Sequence, residues 1–297
     1  MQRRSDVNRR ASASHSIANA FGAGLGRWRA ARRESQLSLA CLAGVSQRHL
    51  SFIESGRSRP SREMVVRLCE SLDIPLRARN ELLAAAGFAP LYTERPLGEG
   101  PELAAERGAL ELILAHHEPY PAFVLDRAWR VVMSNPAGER LIGACVDAAT
   151  LARLSEAGAL NFMRLMFEPL QMRPRIRNWN AVEARLVARL RREAGADPTS
   201  PSAQLLAELA PSGPITPRTD SDLLTPTVPV ELALDHATLR LFNAITTFGT
   251  PQDITVQELR IELSFPADAA SQALLTEFAS SGSRRRSPAS PDQGPPT

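Results

Sequence analysis

The stretch GVSQRHLSFIESG, residues 44–56, constrains the fold of this chain more than any other part of its sequence. Ser46 stands directly after a Gly-Val break, where a serine side chain caps the N-terminus of a helix. Leu50 and Ile53 are three residues apart and therefore lie on one face of that helix. Gly56 favours a helix end, because glycine adopts the left-handed backbone that closes a helix. The stretch predicts a tight turn followed by a short amphipathic helix.

Apolar residues continue at helical spacing on both sides of this turn, which predicts an all-α domain of five short helices over residues 21–90. A Pro- and Gly-rich segment at 91–101 is typical of a linker. Residues 1–20 form a basic, serine-rich arm and residues 279–297 a low-complexity tail, and we expect both to be disordered. The intervening residues 102–278 are long enough for a second domain.

The charge of the chain is concentrated at its N-terminal end. All 35 basic residues are arginine, and the net charge is +3. Residues 1–90 contain 15 arginines and 7 acidic residues, a net charge of +8, whereas the other residues sum to −5. This asymmetry predicts a polyanionic partner for the N-terminal part alone.

Membrane and secretion signals are missing from the sequence. No run approaches the roughly 18 apolar residues that a membrane helix needs. The N-terminal segment lacks the apolar core of a secretory signal, although an Arg- and Ser-rich transit peptide is an alternative interpretation. We therefore predict a cytoplasmic protein without a membrane partner.

The polar side chains of the capped helix suit contacts with DNA bases. A recognition helix enters the major groove with polar residues on its first turn, which here are Gln47 and Arg48. Gln can bind adenine and Arg can bind guanine through two hydrogen bonds each. Gln36 opens the preceding helix, where it can meet a phosphate, and Arg57 and Arg59 follow the capped helix. The alternative is that these are ordinary solvated side chains of a small helical domain.

Residues 25–74 resemble the Xre or phage-repressor type of helix-turn-helix along their whole length. The shared positions are Ser35-Gln36, Leu39-Ala40, Ala43-Gly44-Val45-Ser46, Ile53-Glu54, Gly56, Arg59-Pro60-Ser61, Leu68 and Leu72. The resemblance implies a phage-repressor-like DNA-binding domain with an intramolecular role for Glu54. It adds Ser46 and Ser51 as base contacts, and Phe52 at a position that is polar and faces DNA in several members. Here Phe52 either meets a thymine methyl group or packs inward. The predicted contacts with double-stranded DNA are thus Gln36, Ser46, Gln47, Arg48, Ser51, Phe52, Arg57 and Arg59.

Residues 100–280 carry no recognisable catalytic motif. They contain neither a Gly-rich phosphate loop nor a nucleophile-elbow pentapeptide. His116 and His117 are adjacent, and neighbouring helix residues point about 100° apart, so they make a poor metal chelate. We predict no catalytic residue, no metal ligand and no cofactor. An enzyme with an appended regulatory DNA-binding domain remains the alternative.

An apolar segment rich in Met and Phe, NFMRLMFEPLQM at 161–172, is typical both of a core helix and of the wall of an apolar cavity. The segments 123–135, 238–248 and 256–265 are typical of strands, the first with a hairpin turn in its middle. The last segment alternates cleanly. Its apolar face carries Leu259, Ile261, Leu263 and Phe265, and its polar face carries Glu258, Arg260, Glu262 and Ser264.

Three segments, 118–141, 161–179 and 246–268, resemble the ligand-binding domain of MmyB-like transcriptional regulators. The resemblance implies an α+β, PAS-like domain, in which helices wrap a small antiparallel sheet around an apolar cavity. It also implies a small apolar effector of the fatty-acid type. The predicted ligand contacts are Trp129, Asn135, Phe162, Arg164, Met166, Arg177, Trp179, Phe242 and Phe248.

Together these features predict a transcriptional regulator whose sequence-specific DNA binding is controlled by the effector. We expect a homodimer, because one such DNA-binding domain buries too little DNA for operator specificity. Two domains would read half-sites about one helical turn apart. A ligand-free architectural DNA-binding protein is the remaining alternative.

Overall fold

The computed structural model describes residues 20–98, 100–156, 158–195, 199–210 and 228–284. The predicted disordered arm, apart from residue 20, lies outside these ranges. Of the tail predicted as disordered at 279–297, residues 279–284 are helical and the others lie outside the described residues. The chain divides into two units by its internal contacts, which we call the first unit and the second unit. The first unit comprises Met1–Leu97 with Gly249–Gln257, and the second comprises Gly98–Phe248 with Glu258–Thr297.

The first unit contains the five predicted helices. They are α1 over residues 20–31, α2 at Gln36–Leu42, α3 at Gln47–Glu54, α4 at Arg62–Ser71 and α5 at Leu76–Ala85. Serine caps begin α2, α3 and α4, because the hydroxyl oxygens of Ser35, Ser46 and Ser61 accept backbone N–H groups at 3.0–3.2 Å. The five-helix prediction is confirmed.

Apolar side chains from all five helices form the core of the first unit. Its fully buried members include Phe21, Leu25, Leu39, Leu50, Ile53, Val65, Leu68 and Leu83. Gly22 lets α1 cross the end of α3 closely, since a Cβ atom there would lie 2.3 Å from the carbonyl oxygen of Glu54. The position of α3 is therefore fixed at its C-terminal end by backbone packing as well as by its buried leucine and isoleucine.

The strands of the second unit are β1 Ala122–Leu125, β2 Val131–Ser134, β3 Ser155–Glu156, β4 Ala159–Leu160, β5 Val230–Leu234, β6 Ala237–Thr246 and β7 Arg260–Pro266. Five of them form one antiparallel sheet in the order β2-β1-β7-β6-β5, and β3 pairs with β4 separately. The pairing of β6 with β7 runs from Leu241 opposite Pro266 to Thr246 opposite Ile261. The predicted α+β class with an antiparallel sheet is confirmed.

The helices of the second unit are α6 Ala104–His116, α7 Pro136–Cys145, α8 Ala148–Leu154, α9 Phe162–Met166, α10 Trp179–Ala194 and α11 Pro201–Leu209. A short helix, α12 at Ile254–Glu258, lies in the connection between β6 and β7, and α13 at Ala269–Arg284 follows β7. Within the described residues, none of the helices combines the length and the apolar character that crossing a membrane requires.

The strand predicted at 256–265 begins later than the sequence pattern indicates. Residues up to Glu258 belong to α12, and β7 begins at Arg260. The physical reason is a local cap, because Asp253 Oδ1 accepts the backbone N–H of Thr255 at 2.9 Å and so favours a helical turn. The alternation of side chains is retained only from Arg260 onward.

The register of β7 turns its polar face toward the core of the second unit. Glu262 lies opposite Phe123 of β1 and Ile245 of β6, and Ser264 lies opposite Asn243 of β6. Cross-strand partners share one face of a sheet, and Phe123 belongs to the core cluster. Glu262 and Ser264 are accordingly only 3% and 5% exposed.

A buried carboxylate organises the loop after α9. Glu168 is 2% exposed, and its carboxylate accepts the backbone N–H groups of Leu170 at 3.0 Å and Gln171 at 2.6 Å. Arg153 Nη2 donates a further hydrogen bond at 3.0 Å. Burial by itself would raise the pKa of Glu168, but these donors outweigh it and hold the pKa below its usual value.

We predict that Glu168→Gln lowers the free energy of unfolding at pH 7 by about 2 kcal/mol, since a charged acceptor of several donors is lost. A carboxylate whose folded-state pKa is lowered stabilises the protein above its unfolded-state pKa. That contribution disappears as the pH falls through the lower, folded-state pKa. The wild type should therefore lose more stability than the variant between pH 7 and pH 3 in urea titrations. Glu139→Gln, at an exposed position, is the control, and equal pH dependence of wild type and Glu168→Gln would contradict the assignment.

Candidate functional site

Helix α3 presents its first turn to solvent. Ser46, Gln47 and Arg48 are exposed, whereas Leu50 and Ile53 are fully buried. The apolar face therefore anchors the helix and leaves the polar first turn accessible, as insertion into a major groove requires.

Arg48 and Phe52 contact each other one helical turn apart. The Arg48 guanidinium carbon lies 5.4 Å from the centre of the half-buried Phe52 ring, which is a cation–π distance. Ser51 is also half-buried, and Arg57 and Arg59 are exposed in the turn after α3. The contact leaves the aromatic ring alongside the arginine at the surface rather than in the core.

Glu54, at the end of α3, links three helices. Its carboxylate accepts hydrogen bonds from Arg29 Nε at 2.7 Å, Arg29 Nη2 at 3.0 Å and Gln36 Nε2 at 2.7 Å. Arg29 also donates to the carbonyl oxygen of Glu34, and the bonds with Glu54 raise the pKa of Arg29. Glu54 therefore has an intramolecular role, as predicted, because it joins α3 to α1 and α2. Gln36, predicted to contact DNA, has its amide nitrogen directed at this carboxylate.

A cavity of about 240 Å³ lies within the second unit. Its walls come from β1, β5, β6 and β7 of the sheet and from α7, α9 and α10. The apolar part of its lining comprises Phe123, Leu141, Ile142, Phe162, Leu165, Met166, Met172, Val182, Leu186, Val228, Val230, Leu232, Leu241, Phe242 and Ile245. Such a chamber suits an apolar molecule, because its burial removes apolar surface from water.

The remaining lining residues of the cavity are polar, namely Arg185, Arg189, Asn243, Glu262 and Ser264. Arg189 Nη1 donates to Glu262 Oε1 at 2.7 Å, and Asn243 Nδ2 lies 3.4 Å from Glu262 Oε2. Ser264 donates its hydroxyl proton to Asn243 Oδ1 at 3.0 Å. The apolar chamber thus has one wall of interconnected hydrogen-bonding groups, which can orient a polar head group.

Three of the nine predicted ligand contacts, Phe162, Met166 and Phe242, are among the cavity-lining residues. Trp129 was expected on a strand face with them, but it lies in the turn between β1 and β2 with φ of 65°. There its ring is fully buried, and the guanidinium carbons of Arg189 and Arg260 lie 4.3 and 4.1 Å from the ring centre. Its indole N–H donates to Glu193 at 3.0 Å.

The other five predicted contacts lie outside the cavity wall because each has another partner or position. Asn135 caps α7 by accepting the N–H of Gly138 at 2.9 Å, and Arg164 forms an ion pair with Glu208 at 2.8 Å on the surface. The backbone N–H of Arg177 donates to β5, and the ring of Trp179 packs edge-on against Phe167. Phe248 is half-buried beyond the end of β6.

Sequence reasoning missed the polar wall of the cavity. Glu262 and Ser264 lie on the polar face of an amphipathic strand, a face that usually meets solvent. A signal was nevertheless available, since the neighbouring Asn243 interrupts an otherwise apolar run in β6. A polar residue in a central strand that pairs with a second polar residue indicates a hydrogen-bonded patch on that face of the sheet.

Comparison with protein families identifies the second unit. The model of the MmyB-like transcription regulator ligand binding domain matches residues 107–277, more than half of the chain. The chain belongs to the MmyB-like transcription regulators. A helix-turn-helix family model matches residues 28–78, which include α2 and α3. This MmyB-like protein is therefore a DNA-binding transcription regulator with a ligand-binding domain.

Solved structures give only partial similarity to this MmyB-like regulator. Two crystal structures of the clp gene regulator ClgR from Corynebacterium glutamicum match at 28% and 25% identity, over 25% and 35% of this chain and 92% and 95% of theirs. An RNA-binding Light-Oxygen-Voltage receptor matches at 13% identity, over 96% of this chain and 70% of that one. The TM-scores of 0.22, 0.22 and 0.26 do not establish a shared overall fold. No curated protein matches the chain.

We predict that Arg48→Ala relaxes specificity at one or two operator positions, at a cost of about 1–3 kcal/mol for the preferred base. Arg57→Ala should instead weaken binding to all duplexes alike and reduce the slope of affinity against salt by about one, as expected for loss of a phosphate contact. Titration of a panel of single-base operator variants at two salt concentrations measures both effects. A uniform loss with Arg48→Ala would remove this residue from base readout.

Proposed function

We propose that the protein is a sequence-specific transcription regulator whose DNA affinity changes when the cavity binds a small apolar effector of the fatty-acid type. The observation that carries this proposal is the apolar chamber with a single polar wall, in the same chain as an exposed recognition helix. The predicted DNA contacts, Gln36, Ser46, Gln47, Arg48, Ser51, Phe52, Arg57 and Arg59, remain part of it. The proposed site of action is the cytoplasm, where the DNA partner lies.

The polar wall favours an elongated molecule with a single acidic head. Arg185 and Arg189 place two guanidinium groups among the lining side chains, and guanidinium groups bind carboxylates through paired hydrogen bonds. Asn243 and Ser264 can supply further hydrogen bonds. The tail of the molecule would then occupy the Met- and Phe-rich side near Met166. This combination of side chains is expected for a fatty-acid site.

We further propose that the regulator acts as a homodimer. The recognition helix spans only Gln47–Glu54, and its exposed first turn can reach few base pairs. Two such helices, about 34 Å apart, would read two half-sites and provide the specificity that one lacks. An effector that changes the relative population of two dimer arrangements would change DNA affinity without touching the DNA.

We predict that Met166→Trp reduces the affinity for dodecanoic acid at least tenfold, because the larger ring occupies the tail side of the cavity. Isothermal titration of the full chain, stripped of bound lipid by organic extraction, measures this affinity. DNA titration with and without dodecanoic acid measures its consequence, and the variant should no longer respond. The matched control is Leu112→Trp, at a position in α6 that is 61% exposed. Equal fatty-acid binding by Met166→Trp and the control would contradict the cavity as the effector site.

A further inference from the structure

The segment Gly249–Gln257, which we call the strap, connects β6 to β7 but belongs to the first unit by its contacts. Asp253, Ile254 and Val256 within it are buried, at 5%, 3% and 4% exposure. A connection between paired strands is ordinarily a short surface loop. Buried residues in this one indicate that it does more than close a hairpin.

Thr93 binds the middle of the strap. Its hydroxyl donates to Asp253 Oδ2 at 2.9 Å, and the backbone N–H of Ile254 donates to its carbonyl oxygen at 2.8 Å. Thr93 and Asp253 also form an isolated parallel β-bridge. Side-chain and backbone contacts therefore hold the strap to the segment that follows α5.

Gln257 of the strap caps the N-terminus of α5. That helix begins after Pro75, which offers no side-chain cap, so its first N–H groups need other acceptors. Gln257 Oε1 accepts the N–H of Leu76 at 2.7 Å, across 181 residues of sequence. The strap thus supplies the N-terminal cap of a helix of the first unit.

The segment held by Thr93 is itself tied to α5. Asn80 Oδ1 accepts the N–H groups of Leu91 at 2.9 Å and Tyr92 at 3.1 Å, and Asn80 Nδ2 donates to the carbonyl oxygen of Tyr92 at 2.7 Å. In turn, α5 supplies Leu83 to the core that also anchors α3. Both attachments of the strap therefore lead to α5 and through the core to the recognition helix.

Both ends of the strap continue along the chain into strands that form the cavity wall. Ile245 opposite Glu262, and Thr246 opposite Ile261, are the last paired positions of β6 and β7 before the connection. Ile245 and Glu262 both line the cavity. A displacement of this last pair is therefore carried along the chain into the strap at both of its ends.

We propose that the strap transmits occupancy of the cavity to the first unit, which contains the helix-turn-helix. This inference rests on the proposed function, in which the cavity binds an effector. A carboxylate head group that contacts Arg189 competes with Glu262 for this guanidinium and so moves the last pair of β6 and β7. The hydrogen bonds of the strap with Thr93 and Leu76 then weaken, and α5 shifts against the core beneath α3. Thr93, Asp253 and Gln257 act as positioning residues that contact neither DNA nor effector.

The first test measures amide hydrogen exchange in the full chain and needs no effector, since Met166→Trp fills the cavity from α9. We expect the amides of Leu76 and Ile254 to exchange at least threefold faster in this variant than in the wild type. The amide of His49, capped within α3, is the internal reference, and Leu112→Trp is the surface control. Unchanged exchange at both strap-bonded amides would overturn the proposal.

A milder variant guards against misfolding of Met166→Trp. Ile142 also lines the cavity, from α7, and Ile142→Phe adds a smaller volume. It should accelerate exchange at Leu76 and Ile254 in the same direction. Both substitutions lie outside β6, β7 and the strap, so an effect at these two amides has to pass through the cavity.

The second test measures the ratio of DNA dissociation constants with and without dodecanoic acid. Thr93→Val combined with Gln257→Met removes two hydrogen bonds of the strap with little change in volume. We expect this variant to bind dodecanoic acid like the wild type. Its DNA dissociation constants with and without dodecanoic acid should differ by less than twofold. Gln257→Glu keeps an acceptor for the N–H of Leu76 and should preserve the wild-type ratio. A full response in the Thr93→Val, Gln257→Met variant would overturn the proposal.

The two tests separate failure of the strap from failure of the effector class. If wild-type DNA affinity does not respond to dodecanoic acid, the fatty-acid proposal fails, and hydrogen exchange in Met166→Trp still decides the role of the strap. If the wild type responds and the strap variant responds equally, the effector class stands and the strap proposal fails.

Discussion

The antiparallel pairing of β6 with β7 is the constraint on which both the cavity and the strap that joins these two strands depend. The register that places Asn243 opposite Ser264 also places Ile245 opposite Glu262, so one face of this pair supplies the polar cavity wall. A shift of one residue would turn every side chain of β7 to the other face and fill this wall with leucine and phenylalanine. The same register sets the points at which the chain leaves and re-enters the sheet.

The buried charge of Glu262 is tolerated beneath this sheet because it belongs to a network of ion pairs. Glu262 pairs with Arg189, which also lies 3.1 Å from Glu193, and Glu193 in turn pairs with Arg260. Burial alone would raise the pKa of Glu193, but the arginines hold it below its usual value. Both guanidinium groups also contact the Trp129 ring, whose indole N–H donates to Glu193. Loss of Arg189 would leave the buried charge of Glu262 without its ion-pair partner, which costs more than the intact pair contributes.

In the first unit, the orientation of the recognition helix follows from packing at its far end. Glu54 bonds to α1 through Arg29 and to α2 through Gln36, and Gly22 lets α1 approach its backbone. In the polar first turn of α3, Ser46 caps the helix and Arg48 contacts Phe52. The buried contacts of the helix lie at its opposite end and face, so exposed side chains of the first turn can vary without loss of the fold.

The sequence by itself determined the features that depend on neighbouring residues. Serine caps and helical spacing define α2 to α4, and the alternation in β7 is visible from Arg260 onward. Only the tertiary structure decided which face of β7 meets the core and that Gln257 caps a helix 181 residues away. It also decided that Trp129 takes a left-handed backbone conformation and contacts two arginines. The physical reason is the sequence distance over which each interaction acts. Caps and periodicity act within one or two turns, whereas buried ion pairs and strand register are decided by groups that only folding brings together.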